Sequence, residues 1–279
     1  MLALVIGAAG KTGLAVTRAL AARGVEVRAG LHSSRTAPTA YAAGATEVAV
    51  VDLVTCSGLE AAFEGVEAVY HLAPNVHPDE AGMARRVVDT ATRAGVARFA
   101  YHSVLHPDDA SMPHHLRKAE AEAIIRARQP RSTILRPAAY HQNLIDAARG
   151  GRIAVPYSLD APFTNVDLED VAEVAGMALT DPGHAGRTYE LAGPEVLTVR
   201  DLATIASAVL GRDVEAAKVP LDAWAAGPGA SLSEQARHDL MAMFRTYDRD
   251  GLVGDPSVLG RLLGRRPTTW RAALERQRR

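Results

Sequence analysis

Residues 4–16 read LVIGAAGKTGLAV, with Gly7, Gly10 and Gly13 spaced three apart directly behind an apolar run. Strand, glycine turn and helix in that order let a backbone approach a dinucleotide. Gly7 lets the chain turn sharply out of the strand, Gly10 lets it come close to a pyrophosphate, and Gly13 lets the helix pack on the sheet. Free N–H groups and the helix dipole then favour an anion at the helix start. A glycine turn without a ligand is the plainer alternative. The apolar strand before the turn and the helical pattern after it favour the dinucleotide. Gly7, Ala9, Gly10, Lys11, Thr12 and Gly13 are therefore candidate cofactor contacts.

Outward from this loop, short apolar runs read as strands over 2–7, 25–31, 45–52, 68–74, 97–104 and 132–137. Helical patterns lie between them at 11–24, 80–95 and 116–128. Gly24, Gly44, Gly65 and Gly95 close helical patterns, where a left-handed residue is wanted. Strands and helices alternating at this spacing predict an α/β fold, a doubly wound parallel sheet covered by helices on both faces. Beyond residue 137 the pattern loosens into short strands, loops and helices. We expect a nucleotide-binding core over 1–150 and a smaller mixed α/β lobe over 151–279, interleaved with the core and not an independent domain. Residues 198–211 read as an amphipathic helix capped by Thr198. DLVTCSG (52–58) and WAAGPGASLSEQ (224–235) read as surface loops, and 264–279 as a short helix with a basic tail.

Composition narrows the classes. The chain has 279 residues, 48% apolar and 23% charged, with a formal net charge of −1. That gives no electrostatic case for nucleic acid or an anionic membrane as partner. No apolar run approaches the roughly 20 residues of a membrane span. The start, MLALVIGAAG, has no basic leader region, so no signal peptide is expected. A single cysteine, Cys56, excludes an intramolecular disulfide and fits a reducing cytoplasm. A homodimer is compatible with all of this, and the sequence does not fix the oligomeric state.

The end of the second strand addresses the choice of cofactor. An acid there would take a ribose 2′-OH, and a basic residue would accommodate a 2′-phosphate. VRAGLHSSRT (27–36) offers His32, Ser33, Ser34 and Arg35 and no acid, and Lys11 could add a second positive charge. NADP(H) is expected over NAD(H).

The glycine loop, VDL (51–53), HLAP (71–74), RFAYHSV (98–104), HHLRKAEAE (114–122) and TILRPAAYHQN (133–143), in that order and spacing, resemble the atypical NmrA-like branch of the short-chain dehydrogenase/reductase superfamily. The resemblance implies that Asp52 and Leu53 flank the adenine, and that Leu72, Ala73 and Pro74 lie along the cofactor. It places Ser103 at the catalytic serine and Lys118 at the YxxxK lysine that holds the nicotinamide ribose. Pro137, Tyr140 and Asn143 would border the nicotinamide and the substrate. Residues 155–175 would cross the pocket mouth, with Asp170 starting a helix, where an acid is favourable through capping and the dipole alone. Tyr157 and Phe163 would line an apolar pocket for a flat substrate or simply pack in the core.

One position departs from the pattern. Where YxxxK needs tyrosine the chain has His114, which can donate a proton near neutral pH or merely position a ligand. The expected activity is an NADPH-dependent reductase passing hydride to a small quinone, ketone, aldehyde or related acceptor, with His114, Lys118 and Ser103 as catalytic candidates. A non-catalytic NADP(H) sensor of the NmrA type is the alternative, and an epimerase would need the tyrosine. His102, His106, His114 and His115 crowd one stretch, but no metal-ligand spacing joins them. No G-x-S-x-G elbow surrounds Ser103, which disfavours a hydrolase.

Overall fold

A computed structural model describes residues 1–277, so the last two arginines of the expected basic tail lie outside the described residues. In chain order the elements are β1 (Leu2–Ile6), α1 (Lys11–Ala22), β2 (Glu26–Leu31), α2 (Ala37–Ala42), β3 (Glu47–Val50), α3 (Leu59–Ala62) and β4 (Ala68–His71). Next come α4 (Glu80–Arg93), β5 (Arg98–His102), α5 (Pro113–Arg128), β6 (Thr133–Pro137), α6 (Ile145–Arg149), β7 (Arg152–Val155) and α7 (Leu168–Thr180). The chain continues through β8 (Thr188–Leu191), α8 (Val199–Leu210), β9 (Glu215–Lys218), α9 (Leu221–Ala226), α10 (Glu234–Asp250), α11 (Ser257–Leu263) and α12 (Trp270–Arg276).

These elements fall into two compact units. The first comprises Met1–Pro107, Arg117–Arg136 and Val171–Tyr189, and the second comprises Asp108–Leu116, Pro137–Asp170 and the described residues from Glu190 onward. The main sheet has seven strands in the order β3-β2-β1-β4-β5-β6-β8. β1 runs parallel to β2 and β4, β2 to β3, β4 to β5, and β5 to β6. This is the doubly wound α/β fold the alternation predicts. Its strands read as continuous apolar runs because helices cover both faces. Leu4, Val69, Phe99 and Tyr101 pack on Met83, Val87 and Ala91 of α4 and on Ala121 and Ile125 of α5. The strand order reverses between β1 and β4, and ligands of open parallel sheets bind beyond the carboxyl ends at such a reversal.

Local chemistry explains the element ends. Gly24, Gly44, Gly65 and Gly95 all hold positive φ, between +71° and +99°, as expected of residues that stop helices. α5 starts at Pro113, three residues before the expected position, because proline is pre-shaped for a first helical turn. α7 starts at Leu168, two residues before Asp170, and the carboxylate of Asp167 accepts from Glu169 N–H at 2.9 Å. Asp170 is structural in another way, accepting from Arg265 and from the backbone and hydroxyl of Thr268. The stretch 224–235 is not all loop. α9 ends at Ala226, and α10 begins at Glu234 with Ser233 accepting from Ala236 N–H.

The second unit has its own core. Ile145, Ile153, Val199, Leu202, Ala206 and Trp270 meet there, and Trp270 Nε1–H donates to Leu202 C=O at 2.9 Å. Thr198 caps α8 as expected, in a reciprocal box with Asp201. β7 and β9 form a separate parallel pair. Among the described residues no helix is long and apolar enough to cross a membrane.

Candidate functional site

The glycine loop leaves β1 by a sharp turn. Gly7 has φ +78°, and the N–H groups of Gly7 and Ala8 both donate to Gly30 C=O at 3.2 Å. A Cβ on Gly7 would lie 2.7 Å from Leu72 C=O, and one on Gly13 would run into Gly7 C=O and Ala8 Cα. The fold itself therefore demands these two glycines. Gly10 differs. It is exposed, has φ −81°, and a Cβ there would meet nothing nearer than Gly7 C=O at 3.7 Å. Gly10 is also the N-cap of α1, supplies no side-chain cap, and is followed by no acid in the first turn. The first-turn N–H groups of a helix have no acceptor within it. An uncapped helix start behind an open glycine is a cradle for an anionic group, and it fits a pyrophosphate.

The ends of the neighbouring strands supply the rest. Beyond β2, His32 and Arg35 are exposed, Ser33 Oγ accepts from Arg35 N–H at 3.3 Å, and no acid lies among them. Asp52, beyond β3, accepts at Oδ1 from Val54 and Thr55 N–H at 2.8 and 3.2 Å. These backbone bonds hold its pKa below the ordinary carboxylate value, and His32 adds to the effect. Leu53 and Ala73 are buried, Leu72 is half-buried against the glycine loop, and Pro74 is exposed. Lys11 is exposed, and Thr12 is buried.

Beneath the ends of β4 and β5 lies a buried polar cluster that the sequence did not disclose. Lys118 Nζ, on α5, lies 2.7 Å from Oε1 of the fully buried Glu80 and donates to His102 C=O at 3.0 Å. Tyr101 O–H donates to the same Oε1 at 2.7 Å, and Lys118 Nζ sits 5.3 Å from the centre of that ring. Burial, then Glu80, pushes the Tyr101 hydroxyl well above its ordinary pKa. His102 Nδ1 bonds Tyr70 O–H. Burial, then Lys118, lowers the His102 pKa to about 3. Burial lowers His71 to about 3 as well, against an opposing pull from Glu80. Both imidazoles are therefore neutral at physiological pH.

Ser103 Oγ donates to Oε1 of a second buried acid, Glu122, at 2.5 Å. Arg136 takes Glu122 bidentately at 2.9 and 2.7 Å, and Arg126 adds a bond at 2.8 Å. Burial raises the Glu122 pKa, but Arg136, Ser103 and Arg126 outweigh it and hold the group below its ordinary value. The Ser103 hydroxyl proton is thus engaged within the protein. Only the first-turn acid of a helix (Glu80) and the i, i+4 run Lys118, Glu122, Arg126 hinted at these partners.

In the second unit, His114 is buried edge-on to His115, with ring centres 5.8 Å apart. Pro137 ends β6, Tyr140 bridges to Val166, and Asn143 is exposed. Tyr157 and Phe163 pack on each other at 5.2 Å and, with Phe244, Tyr247 and Trp224, form an aromatic cluster. Burial raises the Tyr157 hydroxyl pKa. Sequence reasoning missed Trp224, Phe244 and Tyr247, which lie more than sixty residues along the chain from Tyr157.

Comparison with known proteins sharpens this geometry. The chain is 34% identical over 173 residues to (4-alkanoyl-5-oxo-2,5-dihydrofuran-3-yl)methyl phosphate reductase of Streptomyces griseus. That match covers 60% of each chain, less than two thirds of the relative's length. It is 27% identical over 276 residues to the NAD(P)H azoreductase of Xenophilus azovorans, covering 96% of this chain and 94% of the relative. The NADPH-dependent quinone oxidoreductase QOR2 of Escherichia coli, solved with NADPH, has the same fold, with TM-score 0.83, 24% identity and full coverage of both chains. The NmrA-like family model matches residues 2–269, and the chain belongs to the NmrA-like family.

Proposed function

We propose that the protein is an NADPH-dependent reductase that passes hydride to a small conjugated acceptor such as a quinone. The observation that carries the reading is the open Gly10 position at the uncapped start of α1, a backbone cradle the fold does not need for itself. Reductase relatives at 34% and 27% identity support it. The first-turn N–H groups of α1 would hold the pyrophosphate, Asp52 the adenine amine, and Lys118 the ribose hydroxyls. Ser33, Arg35 and Lys11, with no acid beyond β2, support NADP(H) over NAD(H). Bound NADPH would supply the hydride, which is the chemistry of the cofactor itself.

The chain's own groups bear on the acceptor. Ser103 donates to Glu122, Tyr101 donates to Glu80, and His71 and His102 are neutral. Acceptors whose reduced form is a stabilised oxyanion need least protonation, and a quinone is of that kind. His114 is the proton donor or orienting group for acceptors that need more. The aromatic cluster around Tyr157 supports a flat acceptor. Lone, exposed Cys56 fits a reducing cytoplasm.

Fluorescence titration with NADPH and NADH, followed by quinones and ketones with absorbance read at the reduced-nicotinamide band, tests the proposal. Tighter NADPH binding with acceptor-dependent oxidation is expected. Binding without oxidation by any acceptor would turn the reading to a redox sensor. No binding would overturn both.

A further inference from the structure

We propose that Glu80, supported by Tyr101, is the positioning residue for Lys118: its buried carboxylate offsets the charge of the ammonium and aims it at the ends of β4 and β5. The inference deepens the reading of Lys118 as the ribose contact and rests on that reading for its link to the cofactor.

Glu80 is fully buried on the first turn of α4, where an acid ordinarily serves the helix. This one does not cap. α4 has no side-chain cap bond, and both donors to Glu80, Lys118 Nζ and Tyr101 O–H, come from other elements and share Oε1. Oε2 has no hydrogen-bond partner among the described residues. A buried ion pair with a half-satisfied carboxylate is a poor way to stabilise a fold, since an apolar pair of similar volume does as well or better. It does fix a direction. An ammonium has three protons, and Lys118 uses one on Glu80 and one on His102 C=O. The third remains for an acceptor outside this set.

The surroundings leave this task to Glu80. β4 contributes His71, and β5 contributes Tyr101 and His102, all uncharged near neutral pH. Arg117, the next residue along α5, is a second cation that feels the charge of Glu80, against the lowering of its pKa by burial. Glu122, one turn further, is taken up by Arg136, Arg126 and Ser103. Glu80 is therefore the carboxylate that compensates Lys118, and without it a buried positive charge is left with no counter-charge beside it.

The test is NADPH titration at pH 7 and pH 9 for the wild-type protein, Glu80→Gln, Lys118→Met and the double variant, with melting temperatures recorded for each. Glu80→Gln should weaken NADPH about tenfold at pH 7 and about tenfold further at pH 9, where the wild type changes less than threefold. The double variant should bind no more weakly than Lys118→Met, because Glu80 acts through Lys118. Tyr101→Phe should give a loss of about threefold, and Glu80→Asp should restore part of the pH independence. If Glu80→Gln fails to fold, these two milder variants decide by the same pH comparison. Wild-type affinity in Glu80→Gln at both pH values, or additive losses in the double variant, would overturn the inference. If the wild type binds no nucleotide, the reading of the site fails on its own. The melting temperatures then decide the pairing: coupled losses support it and additive losses overturn it.

Discussion

Two carboxylates are fully buried in the first unit, Glu80 and Glu122, and the protein treats them in opposite ways. Glu122 meets a bidentate arginine, a second arginine and a hydroxyl, so both oxygens are occupied. Glu80 meets a lysine and a tyrosine on one oxygen, and the other has no partner. The glycines of the loop divide in the same way. At Gly7 and Gly13 the backbone leaves no room for a side chain, and at Gly10 it does. Groups whose bonds the fold completes serve stability. Groups left incomplete are the ones on which the proposed function draws.

Substitution can break or sharpen that division. The largest expected effect is at Glu122. Glu122→Ala removes the carboxylate that two arginines and a hydroxyl share, and a broken buried pair costs about 3–5 kcal/mol. Urea denaturation should show that loss, with Glu80→Ala costing less because Glu80 bonds through one oxygen only. Equal losses would erase the distinction between the two acids. Gly13→Ala comes next, at about 1–3 kcal/mol, because its methyl group would collide with backbone that cannot give way. Gly10→Ala should leave stability within about 0.5 kcal/mol while weakening NADPH about tenfold. A large stability loss there would show that the fold needs that glycine after all.

A further effect is a pH slope. His71 and His102 have folded pKa values near 3 against 6.5 in the open chain, so the unfolded state binds more protons in between. Stability should fall as pH drops below 6.5, by about 1.4 kcal/mol per unit for each histidine. Denaturation at pH 7 and 5.5 measures it, and His71→Leu should remove one histidine's share. Glu122 has the depressed carboxylate pattern, so its contribution is present above 4.5 and is lost only at lower pH. An unchanged slope in His71→Leu would mean that His71 is protonated in the folded protein.

The sheet was legible because its signals are contiguous. An apolar strand, a glycine turn and a helix with a terminal glycine each fit in a window of fifteen residues, and the backbone alone builds the cradle. Thr198 and its capping box were legible for the same reason. The buried cluster was not. Glu80 looks like any first-turn acid, and nothing local says that its side chain turns inward to meet Lys118, thirty-eight positions on. Of the aromatic cluster, Trp224 failed to show because 224–235 was read as one loop, and Phe244 and Tyr247 because nothing local ties them to Tyr157. The resemblance puts Asp170 at a helix start, whereas Arg265 and Thr268 hold it in a bond no local pattern encodes.

The way the chain alternates between its two units has a consequence for synthesis. It passes from one unit to the other five times, and the first unit is complete only when Tyr189 has been made. A nascent chain of 150 residues has the glycine loop and β1 to β6 but not β8, which lies beside β6. At that length β6 presents an unpaired edge, the feature through which sheets pair with foreign strands. A fragment cut at that point should aggregate, and on the ribosome the same edge would stay open while about forty more residues are added.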